Sequence, residues 1–287
     1  MIPAPPGDQG RGCGGTLIKA AAAGTEIPLA FLADGIGARH PDPAHRQAEL
    51  DQRRAAARAA ADILGAASIH FDDLPDNRLD SVPLLDLTQR VEALIARHRP
   101  ATLFTHHAGD LNIDHRRTHQ AVMTACRPQS GHPVRTLLCF EVPSSTEWQP
   151  PGSGAPFTPN WFVDIGATLD GKLAALAAYA AEVRDWPHPR SREGVASLAR
   201  WRGASVGREA AEARAELGVQ GQQIRKDGLL RVEPLHTGDS EFDEATDALI
   251  RGRSITGLVA AHERHKARRQ RASNTAVRLF AQAAELA

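Results

Sequence analysis

The stretch from Ala101 to Thr118, ATLFTHHAGDLNIDHRRT, concentrates side chains that can move protons or hold a metal. It opens with an apolar, β-branched and aromatic run, Thr102 to Thr105, whose composition predicts a buried strand. A polar loop follows, carrying His106, His107, Asp110, Asn112, Asp114 and His115. Helical sequence resumes after Asp114, which puts His115 and His119 four positions apart on one helical face. Ligands of open α/β sheets bind beyond the carboxyl ends of the strands. Imidazoles and carboxylates gathered there are either a metal site or a solvated loop rich in histidine, and spacing alone leaves both readings open.

The elements that must position this loop follow from hydrophobic pattern and turn residues. Strands are expected at Glu26–Ala33, Ser68–Phe71, Thr102–Thr105 and Arg135–Phe140, with an edge strand at Trp161–Ile165. A helical segment separates each successive pair of the first four. Leu84, Leu87, Val91, Leu94 and Ile95 recur at helical spacing, and Pro100 closes that helix. Asp42 is positioned to cap the helix before Gly65, with Pro43 at its first position. Strands alternating with helices predict βαβ units and a mainly parallel sheet. Each strand ends in polar residues (Asp34, Asp72 and Asp73, His106 and His107, Glu141), so one rim should collect acids and imidazoles, unless these only cap helices.

Gly12-Cys13-Gly14-Gly15 reads as a turn opening a helix, where free backbone N–H groups can hold an anion. No strand pattern precedes it and no G-x-G-x-x-G is present, so a nucleotide site is disfavoured. Residues 1–11, with their prolines and glycines, are expected to be irregular. A globular domain is expected over 12–215, followed by a linker and a helical tail over 216–287, with helices near 241–251 and 255–285. The basic run HERHKARRQR in that tail reads as a solvated helix face.

The 287 residues carry 34 basic and 34 acidic side chains, a balance that argues against nucleic acid or an anionic membrane as the main partner. No apolar run approaches the roughly 18 residues that span a bilayer. The N-terminus lacks a charged-then-apolar pattern, so no signal peptide is expected. Three cysteines form neither a CxxC pair nor an even framework, as in a cytoplasmic protein with reduced thiols.

In order along the chain, GCGGTLIKAAAAG, FLADGIGAR, RRAAARAAADILG, LPDNRLDS, THHAGDLNIDHRRT, FEVPSSTEW and PNWFVDI resemble the PIG-L or LmbE-like metal-dependent de-N-acetylases. The resemblance implies a Rossmann-like three-layer α/β sandwich and a zinc site. It implies hydrolysis of the amide of an N-acetylglucosamine-type sugar conjugate by a metal-activated water. It assigns His115 as a metal ligand, Asn112 as a donor near the developing oxyanion, and Asp114 as an acid that orients its neighbours. Arg53 and Asp76 match polar positions near the sugar.

The same resemblance marks a gap. Two further ligands and the general base come, in that family, from an A-H-P-D-D-E motif ending the first strand. Here the sequence before GCGG reads Pro-Ala-Pro-Pro-Gly-Asp-Gln-Gly, so the first strand, two ligands and the base are all expected to be missing. His40-Pro41-Asp42-Pro43 is the one sequence that could stand in. A catalytically inactive sugar-binding or scaffold relative is the alternative.

Overall fold

The computed structural model describes residues 1–37 and 44–218, all within a unit grouped as Met1–Leu230. Its elements are α1 (Asp8–Ala22), β1 (Pro28–Ala33), α2 (Arg46–Leu64), β2 (Ser68–Leu74), α3 (Leu84–His98) and β3 (Thr102–His106). They continue with α4 (Ile113–Ala125), β4 (Thr136–Phe140), β5 (Trp161–Asp164), α5 (Leu169–Ala177), α6 (Arg192–Ala204) and β6 (Ala211–Gly218). The proposed cap at Asp42, the stand-in His40–Pro43 and the two tail helices lie outside the described residues.

β1 pairs with β2 and β3 with β4, both parallel. The gap between these pairs is filled by the first residues of the chain. Ala30 N–H donates to Met1 O and Ala33 N–H to Ala4 O, each at 3.0 Å, while Ile2 N–H donates to Phe104 O at 3.0 Å. Partner numbers rise together on the β1 side, so segment 1–4 runs parallel to β1, and the Ile2 bond to Phe104 links it to β3. Residues 1–7 hold no strand, as expected, but their backbone bridges the two strand pairs, and residues 8–11, expected to be irregular, already belong to α1. Pro3, Pro5 and Pro6 have no N–H to give, which thins the ladder without removing the extended backbone that prolines favour.

Alternation along β1 builds the two covering layers. Ala30 and Leu32 pack with residues of α3 and α4, such as Leu87, Val91 and Val122. Leu29 and Phe31 face the other way, into a core with Cys13 and Leu17 of α1, Ala57 and Leu64 of α2, and Ala175 of α5. The result is the expected three-layer α/β sandwich. β6 was not expected. It inserts antiparallel between β4 and β5, so the sheet is parallel at its centre and mixed at one side. The expected boundary at 215 therefore falls inside a strand, whose alternating Ala-Glu-Ala-Arg composition hides its burial.

Gly12 to Gly15 lie inside α1, not at its start, and form no anion turn. They are glycines because the helix is pressed onto the sheet: a Cβ at Gly12 would stand 2.4 Å from the Phe140 ring, and one at Gly15 2.7 Å from Ile165 Cβ. Glu212 of β6 pins the helix, accepting from Gly15 N–H (3.0 Å), Thr16 N–H (2.9 Å) and Lys172 Nζ (2.5 Å). Burial alone would push this carboxyl up, but Lys172 and Arg214 outweigh it and hold it at about 2.

Ile2 is 4% exposed and packs in the core of α3 and α4. Ile2→Ala is expected to cost about 2–4 kcal/mol in urea unfolding. A loose tail would lose less than about 0.5 kcal/mol.

Candidate active site

Segment 1–4 and α1 deliver Asp8 to the carboxyl end of the sheet, where β3 and the start of α4 deliver His106 and His115. Atoms of these three buried side chains lie within 4.8 Å of one another, the arrangement of a metal site. Asp8 Oδ2 is 2.8 Å from His115 Nε2 and 3.7 Å from His106 Nε2. The His106 and His115 rings stack 3.8 Å apart and 9° from parallel.

His115 stands between two carboxylates, since Asp110 Oδ1 approaches its Nδ1 at 3.0 Å. Burial pushes the imidazole down, but Asp8 and Asp110 outweigh it and raise it to about 10. Asp8 is correspondingly held far below the ordinary carboxylate range by His115 and Arg11, against its own burial. Asp110 is held down at about 2 against burial, chiefly by His115 and by its bond from Ser145. It also accepts from Thr146 Oγ1 (2.7 Å) and Asn112 N–H (2.9 Å), so it joins the loop after β4 to the loop after β3. A carboxylate behind a ligand imidazole fixes the ring and raises its basicity.

His106 behaves differently. Its Nε2 accepts from Ala4 N–H at 2.8 Å, and burial with the neighbouring His115 charge lowers it to about 3, so it is neutral. Asp8 Oδ2 is buried without a hydrogen bond. A buried carboxylate oxygen whose near neighbours are two imidazole nitrogens fits a divalent cation held by Asp8 and His115 once His115 Nε2 gives up its proton. His106 Nε2 completes a three-ligand set only by releasing Ala4 N–H.

Asp8 is the residue that sequence reasoning missed. Set against A-H-P-D-D-E, Ala4-Pro5-Pro6-Gly7-Asp8-Gln9 keeps the alanine, one proline and the second aspartate, with glutamine for the glutamate. His115 therefore has a carboxylate and a second imidazole beside it. Proline replaces the motif's histidine, and Gly7 replaces its first aspartate. The space beside Gly7 is filled: a Cβ there would be 2.9 Å from Glu182 Oε2 and 3.1 Å from Arg11 Nη2. Arg11 bonds Asp8 Oδ1 (2.5 Å) and Glu182 Oε2 (2.6 Å), and Arg53 pairs with the other oxygen of Glu182.

Asp8 and His115 open on a cavity of about 530 Å³, also lined by Arg53, Asp76, Asn112 and Glu182. Asn112 caps α4, accepting from Asp114 N–H (2.8 Å) and donating to Asn77 Oδ1 (3.2 Å). Asp114 does not line the cavity. It accepts from Asn77 N–H (2.6 Å) and Leu79 N–H (2.9 Å), which holds the turn that presents Asp76. Burial, then the Asp114 charge, raises Asp76 to about 6.

The expected rim of acids is mostly spent elsewhere: Asp34 pairs with Arg46, Asp72 with Arg90, and Glu141 with Arg202. His107 bonds Ala155 O (2.9 Å) and His119 bonds His106 O (2.9 Å), so both brace loops.

Residues 1–126 match the family model described as PIG-L: GlcNAc-PI de-N-acetylase. That segment contains Asp8, His106, Asp110 and His115. No curated protein sequence matches the chain. Among solved structures, the chain is similar to the N,N'-diacetylchitobiose deacetylase of Pyrococcus horikoshii, with 17% identity and a TM-score of 0.62 over 76% of this chain and 82% of that one. It is similar to GalB, the 4-carboxy-2-hydroxymuconate hydratase of Pseudomonas putida KT2440, with 22% identity and a TM-score of 0.60 over 77% and 96%. It also resembles the A40926 pseudoaglycone deacetylase Dbv21, with 20% identity and a TM-score of 0.60 over 77% and 97%. These likenesses establish the fold. No helix among the described residues is long and apolar enough to cross a membrane.

Two predictions follow from the geometry. Gly7 has φ +116°, so Gly7→Asp places a strained backbone and a second carboxylate against Glu182. It should cost about 1–3 kcal/mol, read by urea unfolding, with Glu182→Ala relieving part of it. Asp76 ionises at about 6 when folded, above the ordinary ~3.9 of an unfolded chain. Its ionisation therefore weakens the fold as pH rises from about 4 to 6. Asp76→Asn should stabilise by about 2–3 kcal/mol at pH 7 and by little at pH 3.5.

Proposed function

We propose that this chain is a zinc-dependent amidohydrolase acting on a small N-acetylated amino-sugar conjugate, with Asp8 and His115 as its metal ligands. The observation that carries the reading is the buried Asp8 Oδ2 set 2.8 Å from His115 Nε2, beside His106, where both residues open on the cavity. The known acetyl-sugar deacetylases among its structural relatives support the substrate class. When bound, zinc would polarise the acyl carbonyl and acidify a water. Asp110 holds the His115 ring in position. Asn112 has a second amide N–H beyond its bond to Asn77, and this can donate to the developing oxyanion. Arg53 and Asp76 face the cavity where sugar hydroxyls would sit, and Asp114 positions Asp76 through the 77–79 turn.

With Gly7 where the motif carries a carboxylate, no side chain at that position can take the water's proton. General-base help is worth about 10²–10⁴-fold, so turnover is expected to be slower by that order than with a carboxylate at position 7. The filled space beside Gly7 favours a second reading, a relative that binds the sugar without hydrolysing it.

Acetate release from N-acetylglucosamine glycosides, with and without added zinc, separates the two. Zinc-dependent release that Asp8→Ala and His115→Ala each abolish is the expected result. Saturable sugar binding unaffected by chelator, with no acetate, would establish the second reading in its place.

Metal uptake has its own signature. His115 holds its proton up to about 10, and Nε2 must lose it to bind zinc. Affinity should therefore rise about tenfold per pH unit between pH 6 and 9, with about one proton released. Calorimetry in buffers of different ionisation enthalpy measures both, and a flat profile would remove His115 from the ligand set.

A further inference from the structure

We propose that Ser144 is a ligand-binding residue of the cavity, its hydroxyl bonding a hydroxyl or amide group of the molecule held there. The proposal rests on the amino-sugar reading given above. Ser144 lines the cavity from the loop after β4. It also stands where the backbone calls for a different residue. Ser145 N–H donates to Val142 O at 3.1 Å, Pro143 takes the second position of the turn, and Ser144 has φ +67° at the third. This is the pattern of a type II turn, whose third position favours glycine or asparagine because other side chains crowd the backbone there.

Among the described residues, Asn77 and Arg99 are the other non-glycine positions with positive φ, and each has a local reason. Asparagine tolerates this conformation, and the Asn77 side chain joins Asp76 to Asn112. Arg99 ends α3 in the left-handed conformation common at helix ends. Ser144 has neither excuse. Its N–H is taken by Glu147 Oε1 (2.5 Å), but its hydroxyl has no hydrogen-bond partner among the described residues. Glycine would relieve the turn, so serine adds a hydroxyl to the cavity wall at the expense of the fold.

The loop holds that hydroxyl in place. Thr146 N–H also donates to Val142 O (3.0 Å), Val142 N–H to Thr146 Oγ1 (2.8 Å), and Ser145 N–H to Glu147 Oε2 (3.2 Å). Ser145 and Thr146 both donate to Asp110, the carboxylate behind His115. Ser144 is thus fixed relative to the metal-site residues before a ligand arrives, and little ordering entropy is lost when it bonds one. A hydroxyl both donates and accepts, which suits a sugar hydroxyl or an amide.

Calorimetric titration of the full-length protein with methyl N-acetylglucosaminide, beside the thermal midpoints of Ser144→Gly and Ser144→Ala, separates the side chain from the turn. Ser144→Gly should raise the midpoint by about 2 °C as the strain goes, and weaken binding about three- to tenfold as the hydroxyl goes. Ser144→Ala should weaken binding as much without raising the midpoint. Zinc affinity should be unchanged in both, which shows that Asp110 has not shifted. Methyl glucoside, which lacks the amide, assigns the bonded group: a loss in Ser144→Ala that persists with it marks a ring hydroxyl, and one that vanishes marks the amide. Unchanged glycoside affinity in both variants, or a midpoint that falls in Ser144→Gly, overturns the assignment and leaves the amino-sugar reading intact. So does a loss of affinity that comes with a loss of zinc affinity. Wild type that binds neither glycoside overturns both.

Discussion

Four residues at the start of the chain hold the two halves of the sheet together. Met1 O and Ala4 O accept from β1, Ile2 N–H donates to β3, and Ala4 N–H donates to His106. The same segment leads directly into Asp8, so the contact that closes the sheet also sets the distance between the carboxylate and His115. Sheet integrity and the placing of Asp8 against His115 are thus one constraint. The His106 bond ties them further, because an imidazole that accepts a backbone N–H there keeps its neutral tautomer and its stack on His115.

Much of this was legible in the sequence. The spacing of β-branched runs with helical segments between them led to the parallel core, and Ser191 and Gly65 behave as the helix cap and stop their types suggest. His115, Arg53, Asp76 and Asn112 do meet at one cavity. The N-terminal segment was missed because proline and glycine composition reports a lost donor, not a lost direction of chain. β6 was missed because its inward residues include Glu212 and Arg214, whose burial depends on partners far away in sequence. Asp8 was legible only through register against the family motif, since one aspartate among prolines and glycines carries no local signal.

The floor of the cavity combines charges that cancel. Asp8 and Glu182 face His115, Arg11 and Arg53, with Asp110 behind His115, and each ion's desolvation is offset by an opposite neighbour. Glu182 with Arg11 also occupies the volume a side chain at position 7 would need. The site has therefore repacked around the glycine, and restoring the family motif by point substitution meets a filled space. GalB, whose described activity is hydration, shares this fold, so the architecture itself does not dictate amide hydrolysis.

Glu212 gives α1 an unusual history. The helix leaves the ribosome early, yet the carboxylate that receives Gly15 N–H and Thr16 N–H is 197 positions downstream of the first of them. At about 5–20 residues per second, the nascent helix waits roughly 10–40 seconds for its anchor. Until then Lys172 has no carboxylate to neutralise it, and nothing fills the slot between β4 and β5. The segment that matches the PIG-L model, residues 1–126, ends before β4, β5 and β6, so the carboxylate that anchors α1 lies outside it.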